Sequence, residues 1–109
     1  MRESQTAVLE RGKALEGEFA TEPFEVAWAT EARWFVQFLE EGTGTVSFRT
    51  QISPDGLVWM DHESEPVQGP QRGVLTSAVT QFGHWLRLVV TPEGTASTPL
   101  TRVCLALKE

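Results

Sequence analysis

The sequence predicts an all-β protein: a single antiparallel β-sandwich, jelly-roll-like, with seven to eight short strands. Several segments alternate apolar and polar residues, and glycine, proline and aspartate separate them, as in a chain of short strands joined by turns. The 109 residues leave room for one domain, and their 40% hydrophobic content is enough for a core without disulfides. We therefore expect residues 1–109 to form a single sandwich domain.

The first third of the chain contributes short candidate strands. Residues 6–11 and 14–19 alternate in part, and the glycine-lysine pair at 12–13 is typical of a tight hairpin connection. Residues 24–28 alternate again. Residues 32–40 are apolar on both sides, which fits either a doubly buried strand or a short buried helix; their aromatic and β-branched content favours the strand.

The clearest strand covers residues 45–52, and a sharp turn follows it. Pro54 presets a φ of about −65°, Asp55 can cap the turn through its side chain, and Gly56 accepts a positive φ. Trp59 comes three residues after Gly56 and is expected to pack in the core, as most large rings do. The structural turn predicted from the sequence comprises Ser53, Pro54, Asp55, Gly56 and Trp59.

The remaining chain alternates loops and strands. Residues 61–72 are polar and rich in proline and glycine, which predicts a long surface loop. A weak strand is expected over 74–82 and a strong one over 84–91. A turn at 92–95 leads to the last strand, residues 100–108, where apolar residues again recur at every second position.

Candidate catalytic and metal-binding residues are few. His62 and His84 belong to different predicted elements, and Asp61 and Glu63 alternate with His62 between opposite faces of an extended chain, so the three cannot converge on one ion. We interpret His62 as a surface residue. The sequence also has no Gly-x-Ser-x-Gly elbow to hold a nucleophile. These patterns predict a protein that is not an enzyme and uses no metal or cofactor.

Charge and apolar runs bear on partners and location. Fifteen acidic residues against nine basic ones give a net charge of −6, which disfavours nucleic-acid binding. No apolar run reaches the ~20 residues of a membrane helix. The one cysteine, Cys104, lies in an apolar segment and fits a buried small hydrophobe. Because the first residues lack the apolar core of a secretion signal, we expect synthesis in the cytoplasm, with a virion or another particle as a compatible destination.

Aromatic and apolar residues beside turns predict an interaction surface. Four tryptophans are a heavy load for a small domain, and core packing is expected for most of them. Trp28 is the expected exception, because it borders a turn-like stretch at 29–32. Leu57 and Val58 follow the sharp turn. The predicted interaction surface therefore comprises Trp28, Leu57 and Val58.

Three segments together resemble small β-sandwich structural proteins of tailed phages and prophages. The turn Ser53–Trp59 has the form Ser-x-Asp-Gly-x-x-Trp, the segment 85–91 carries an arginine, Arg87, and a Gly-Thr turn leads into the last strand. The same turn also occurs in discoidin-like and carbohydrate-binding sandwiches, and Trp85 stands where such strands more often have tyrosine. The resemblance covers the C-terminal two-thirds of the chain. Arg87 is expected to reach the carbonyls of the turn or Asp55.

Two hypotheses for function follow. The first is a non-catalytic structural protein that self-associates or docks on a larger protein assembly, such as a virion or capsid-like shell, through exposed apolar residues or a free strand edge. Its partners are proteins, and a homo-oligomer is expected. The alternative is a carbohydrate-binding module of lectin or discoidin-like type, with exposed tryptophans and often a calcium ion near Asp61–Glu65.

Overall fold

Two antiparallel β-sheets face each other in this protein. The structure, a computed structural model, describes residues 3–109. Strands dominate these residues, and none of them forms a helix that is long and apolar enough to cross a membrane. The strands are β1 (Ser4–Glu16), β2 (Phe19–Ala20), β3 (Phe24–Glu25), β4 (Glu31–Phe38), β5 (Thr45–Ser53), β6 (Met60–Asp61), β7 (Val67–Pro70), β8 (Val74–Val79), β9 (Trp85–Glu93) and β10 (Ser97–Lys108).

The two sheets differ in their number of strands and in the length of their outer strands. The four-stranded sheet has the order β1-β10-β4-β8. The six-stranded sheet has the order β2-β9-β5-β6, with β3 also pairing with β9 and β7 with β5. Every pairing is antiparallel, so the predicted antiparallel β-sandwich is confirmed. Three strands, β2, β3 and β6, are only two residues long, so the longer strands form most of both sheets.

Alternate residues of the long strands fill the space between the sheets. Val46 and Phe48 of β5 point inward, as the alternation predicts, and meet the buried residues of β4 and β10. Trp34 of β4 is completely buried, and its Nε1 donates a hydrogen bond of 3.0 Å to Thr50 Oγ1 of the opposite sheet. The segment 32–40, for which helix and strand were both open, is a strand as far as Phe38 and carries the largest core side chain.

The predicted hairpin at 12–13 is wrong. β1 runs through this point as one strand of thirteen residues beside β10. Its register with β10 shifts between Val8 and Glu10, between Glu10 and Lys13, and again near its end. Bulges of this kind take up extra residues without reversing the chain. The chain turns at Gly17, where the φ angle is +56°.

The first and last strands lie side by side. Ser4 pairs with Lys108 at one end of this ladder, and the amide of Glu109 donates a hydrogen bond of 2.9 Å to the carbonyl of Glu3. The two ends of the described chain are therefore neighbours at one edge of the four-stranded sheet.

The segment 61–72 is more ordered than a surface loop. It contains β7, which pairs with β5, and it places His62 in a buried position with 9% of its surface exposed. His62 Nε2 donates to the carbonyl of Thr80 at 2.8 Å, and Nδ1 accepts the amide hydrogen of Ser64 at 3.1 Å. The interpretation of His62 as a surface residue is therefore wrong, since its ring ties this segment to the end of β8.

Candidate interaction surface

Ser53 and Asp55 organise the turn after β5. The buried Ser53 hydroxyl accepts the amide hydrogen of Gly56 at 2.8 Å and donates to Asp55 Oδ1 at 3.1 Å. The same carboxylate oxygen accepts the amide hydrogens of Leu57 at 2.9 Å and Val58 at 3.0 Å. Side-chain oxygens thus replace the backbone carbonyls that a regular strand would offer these amides.

The hydrogen bonds to Asp55 also fix its charge. The amides of Val58 and Leu57 stabilise the ionised carboxylate and lower the pKa of Asp55 below its usual value. The turn therefore holds a full negative charge at neutral pH, although Asp55 is exposed to solvent.

Gly56 is favoured by its backbone conformation, and the ring of Trp85 lies beside it. Its φ angle is +81°, in the left-handed region that favours glycine. A Cβ at this position would also lie 3.4 Å from two ring atoms of Trp85. The turn consequently packs flat against the start of β9.

Beyond the turn, three apolar side chains point into solvent. Leu57 is 82% exposed, Val58 is 60% exposed and Met60 is 47% exposed. We call these three residues the apolar tip. The Asp55 carboxylate binds the backbone amides of Leu57 and Val58, so these two exposed side chains project from a hydrogen-bonded backbone.

Trp59, which lies within the same segment, does not join the core. Its ring is half-buried, and the guanidinium carbon of Arg87 lies 4.5 Å from the ring centre. Arg87 Nε donates to Gln51 Oε1 at 2.7 Å. Arg87 therefore contacts the tryptophan of the segment, where a contact with the turn carbonyls or with Asp55 was expected.

A charged network continues across the outer face of the six-stranded sheet. Asp61 Oδ1 accepts from Gln51 Nε2 at 2.8 Å and from Arg49 Nε at 3.1 Å, and these hydrogen bonds lower the pKa of Asp61. Arg49 also bridges to Glu18 at 3.1 Å. Sequence reasoning missed this network, although the polar alternation of β5 places Arg49 and Gln51 on one face.

Trp28, the third residue of the predicted interaction surface, is not one of the residues of the apolar tip. It lies in the connection between β3 and β4, where it is half-buried and packs against the core. Leu57 and Val58 thus offer far more free surface than Trp28 does.

The acidic residues near His62 are not gathered around a common point. No group of three histidine, cysteine, aspartate or glutamate residues with metal-binding geometry occurs within residues 3–109. Asp61 is engaged by Arg49 and Gln51. The carboxylates of this described segment therefore show no preformed calcium site.

The fold is that of a small antiparallel β-sandwich, and its candidate surface is an ordered, apolar turn. No protein-family model and no curated protein matches the chain. Solved structures do share its fold, at sequence identities so low that the likeness concerns the fold alone.

Three of these structures are similar over nearly the whole chain. The PBSX exported protein XepA has a TM-score of 0.70 at 10% identity; the match covers 94% of this chain but 36% of XepA, so the chain spans about a third of that protein. The Bacillus endospore appendages, a family of disulfide-linked pili, match with a TM-score of 0.65 and 13% identity, over 99% of this chain and 87% of theirs. The SPBc2 prophage-derived protein YomS matches with a TM-score of 0.62 and 7% identity, over 100% of this chain and 96% of YomS.

Proposed function

We propose that this protein is a non-catalytic structural protein that associates with itself or docks on a larger protein assembly, such as a virion or capsid-like shell. The observation that carries the proposal is the apolar tip, in which Leu57, Val58 and Met60 project from a hydrogen-bonded turn. Single apolar residues are common on surfaces, whereas three strongly exposed ones within four residues offer a partner a concentrated apolar contact. Folds shared with a prophage-derived protein and with pili support a role in assembly.

The order of the turn bears on affinity. Binding costs conformational entropy when a loop must be fixed in one arrangement. Ser53 and Asp55 already fix the backbone of the tip, so a partner that covers Leu57 and Val58 gains apolar burial at a reduced entropic cost. A partner with an apolar pocket and few acidic residues suits this surface, because the chain carries a net charge of −6.

The double variant L57S/V58S tests docking. It removes the two most exposed apolar side chains of the tip and keeps the amides that Asp55 binds, so the fold is expected to remain. Co-purification with particles, and with the proteins encoded beside its gene, is expected to fall by roughly tenfold or more, as for the loss of central apolar contacts.

The matched control is L39S/L100S, which removes two exposed apolar side chains elsewhere. This control is expected to bind as the wild type does. Equal binding by both variants, or a protein that is monomeric and binds no co-encoded partner, contradicts the proposal.

The alternative function as a carbohydrate-binding module rests on Trp59. Its half-buried ring lies beside Arg87 and near Gln51, a combination of flat apolar surface and hydrogen-bonding groups that suits a sugar. A glycan array read with and without a chelator tests this function. Binding that disappears in W59A but persists in L57S/V58S would favour it over docking through the tip.

A further inference from the structure

The edges of the two sheets are protected unequally. An exposed strand edge pairs readily with another chain unless charge, proline, bulges or shortness prevents it. In the six-stranded sheet the outer strands β2, β3 and β6 have two residues each, and β7 ends at Pro70. In the four-stranded sheet β1 is long, but it is bulged and carries Glu10, Arg11 and Lys13.

β8 forms the other edge of the four-stranded sheet and has none of these protections. Its sequence, Val-Leu-Thr-Ser-Ala-Val, has no charged residue, no proline and no glycine. It pairs with β4 over its whole length, from Val74 opposite Gln37 to Val79 opposite Ala32. Within residues 3–109 no strand pairs with its other side.

The direction of each backbone group in β8 follows from one hydrogen bond. The amide of Phe38 donates to the carbonyl of Gly73 at 2.9 Å, which continues the β4–β8 ladder by one hydrogen-bonded pair. Hydrogen-bonded and non-hydrogen-bonded pairs alternate in an antiparallel ladder. Every second residue after Gly73 therefore bonds to β4, namely Leu75, Ser77 and Val79.

The other residues of β8 direct their N–H and C=O groups away from β4. These are Val74, Thr76 and Ala78, and all three are exposed. We call their outward backbone groups the free edge. Among the described residues the free edge has no backbone partner, so its hydrogen-bonding capacity is open to another strand.

We propose that a second copy of this chain binds the free edge, with the two β8 strands antiparallel and joined in one continuous sheet. A two-fold axis through Thr76 pairs Thr76 with itself and Val74 with Ala78 of the second copy. In this register every outward group is used, with two hydrogen bonds in each pair. The inference deepens the proposed structural role, on which it rests, by naming the surface of self-association.

Register and shape favour a second copy as the occupant, because the outward groups of β8 pair with those of an identical strand. The net charge of −6 on each molecule opposes self-association in general, but β8 has no charged residue and so adds no repulsion of its own where the two strands meet. A groove of about 420 Å³ on the outer face is lined in part by Phe35, Ala78 and Ala106. Val74, which is 55% exposed, would stand opposite the small Ala78 of the other copy and cover this groove.

The register predicts the effect of charges at two positions. In V74E/A78E like charges face each other twice across the axis, whereas in V74K/A78E opposite charges do so. The two variants differ only at residue 74, and both place the new carboxylate of residue 78 next to Arg33, its neighbour on β4. The dimer dissociation constant, measured by sedimentation equilibrium at 0.15 M salt, is expected to rise roughly tenfold or more in V74E/A78E and to stay near the wild-type value in V74K/A78E.

Two controls separate the proposed pairing from other causes. S4E/T6E has the same net charge as V74E/A78E (−6 − 2 = −8) but places it on β1, and it is expected to leave the dimer intact. Amide hydrogen exchange gives a readout independent of variants: the amides of Val74, Thr76 and Ala78 in the wild type are expected to become protected as protein concentration rises.

A monomer at all concentrations, or a dimer that V74E/A78E leaves intact, overturns the β8 pairing. Both results leave the proposed docking function to its own test, because L57S/V58S alters a different surface. If L57S/V58S loses docking while the β8 dimer stays intact, both proposals are supported. If L57S/V58S docks as the wild type does and the dimer stays intact, the docking proposal is overturned and the β8 pairing stands.

Discussion

Arg87 of β9 stacks on the ring of Trp59, the residue that precedes β6, with 4.5 Å between the guanidinium carbon and the ring centre. The contact holds the returning segment after the turn against the outer face of β9. Arg87 is itself oriented by Gln51, its cross-strand partner on β5. The turn and the sheet are thus connected through a polar side chain.

Replacing Arg87 by methionine is expected to lower the free energy of unfolding by about 1 kcal/mol, the scale of an exposed cation–π contact with one hydrogen bond. The fluorescence of Trp59 is expected to change as its environment changes. Chemical denaturation of R87M, with R102M as a control arginine on the other sheet, checks this. Equal losses of stability in both variants would contradict the role of the stacking.

Gly56→Val is expected to destabilise the fold by at least about 1–2 kcal/mol, because a β-branched residue is forced into a positive φ and toward the Trp85 ring. Gly83→Val is the matched control, since its φ is not positive and the nearest atom to its Cβ lies 3.9 Å away. Thermal unfolding of the two variants measures the difference. An unchanged melting temperature for Gly56→Val would refute the structural role assigned to the turn.

The stability of the turn is expected to depend on pH through Asp55. Its folded-state pKa lies below that of the unfolded chain, so ionised Asp55 stabilises the folded protein above the unfolded pKa of about 3.9, and this contribution disappears as the pH falls through the lower folded pKa. In D55N the corresponding acid-dependent loss is expected to be absent. Unfolding followed from pH 7 to pH 2 compares the two proteins, with E22Q as an exposed control carboxylate.

Trp34 and Thr50 are expected to be energetically coupled across the core. W34F leaves the Thr50 hydroxyl without the Nε1 donor and removes ring volume, so a loss of about 2–4 kcal/mol is expected. T50V alone leaves the indole N–H unpaired. A double-mutant cycle of W34F and T50V is expected to give a coupling of about 1 kcal/mol; strict additivity would show that the hydrogen bond contributes little.

Sequence patterns predict most of the long strands, though not β1, because alternation reflects burial on one face. The strand 45–52 and its turn were recognisable from local chemistry alone, since proline, aspartate and glycine each have a distinct backbone preference. The bulged strand β1 was not, because a bulge and a tight turn use the same residue types, and only the pairing with β10 distinguishes them.

Contacts between distant residues were the hardest to predict. His62 is buried because its ring bonds to Thr80, eighteen residues away, and no local pattern indicates that partner. The same holds for Arg87 and Trp59, whose contact depends on the order of strands in the sheet. The exposure of Leu57 and Val58 shows in the structure, whereas their role as an interaction surface stays a prediction for the binding experiments.

The adjacency of Glu3 and Glu109 has a consequence for how this fold can be used in larger polypeptides. A chain that enters and leaves a domain at nearly one point can be grafted into a loop of another protein without spreading that loop apart. A short linker between the same two points, with new ends opened in an exposed turn such as that at Gly94, would give a circular permutant with an unchanged sheet order. The sandwich is therefore suited to insertion into other proteins as an intact domain.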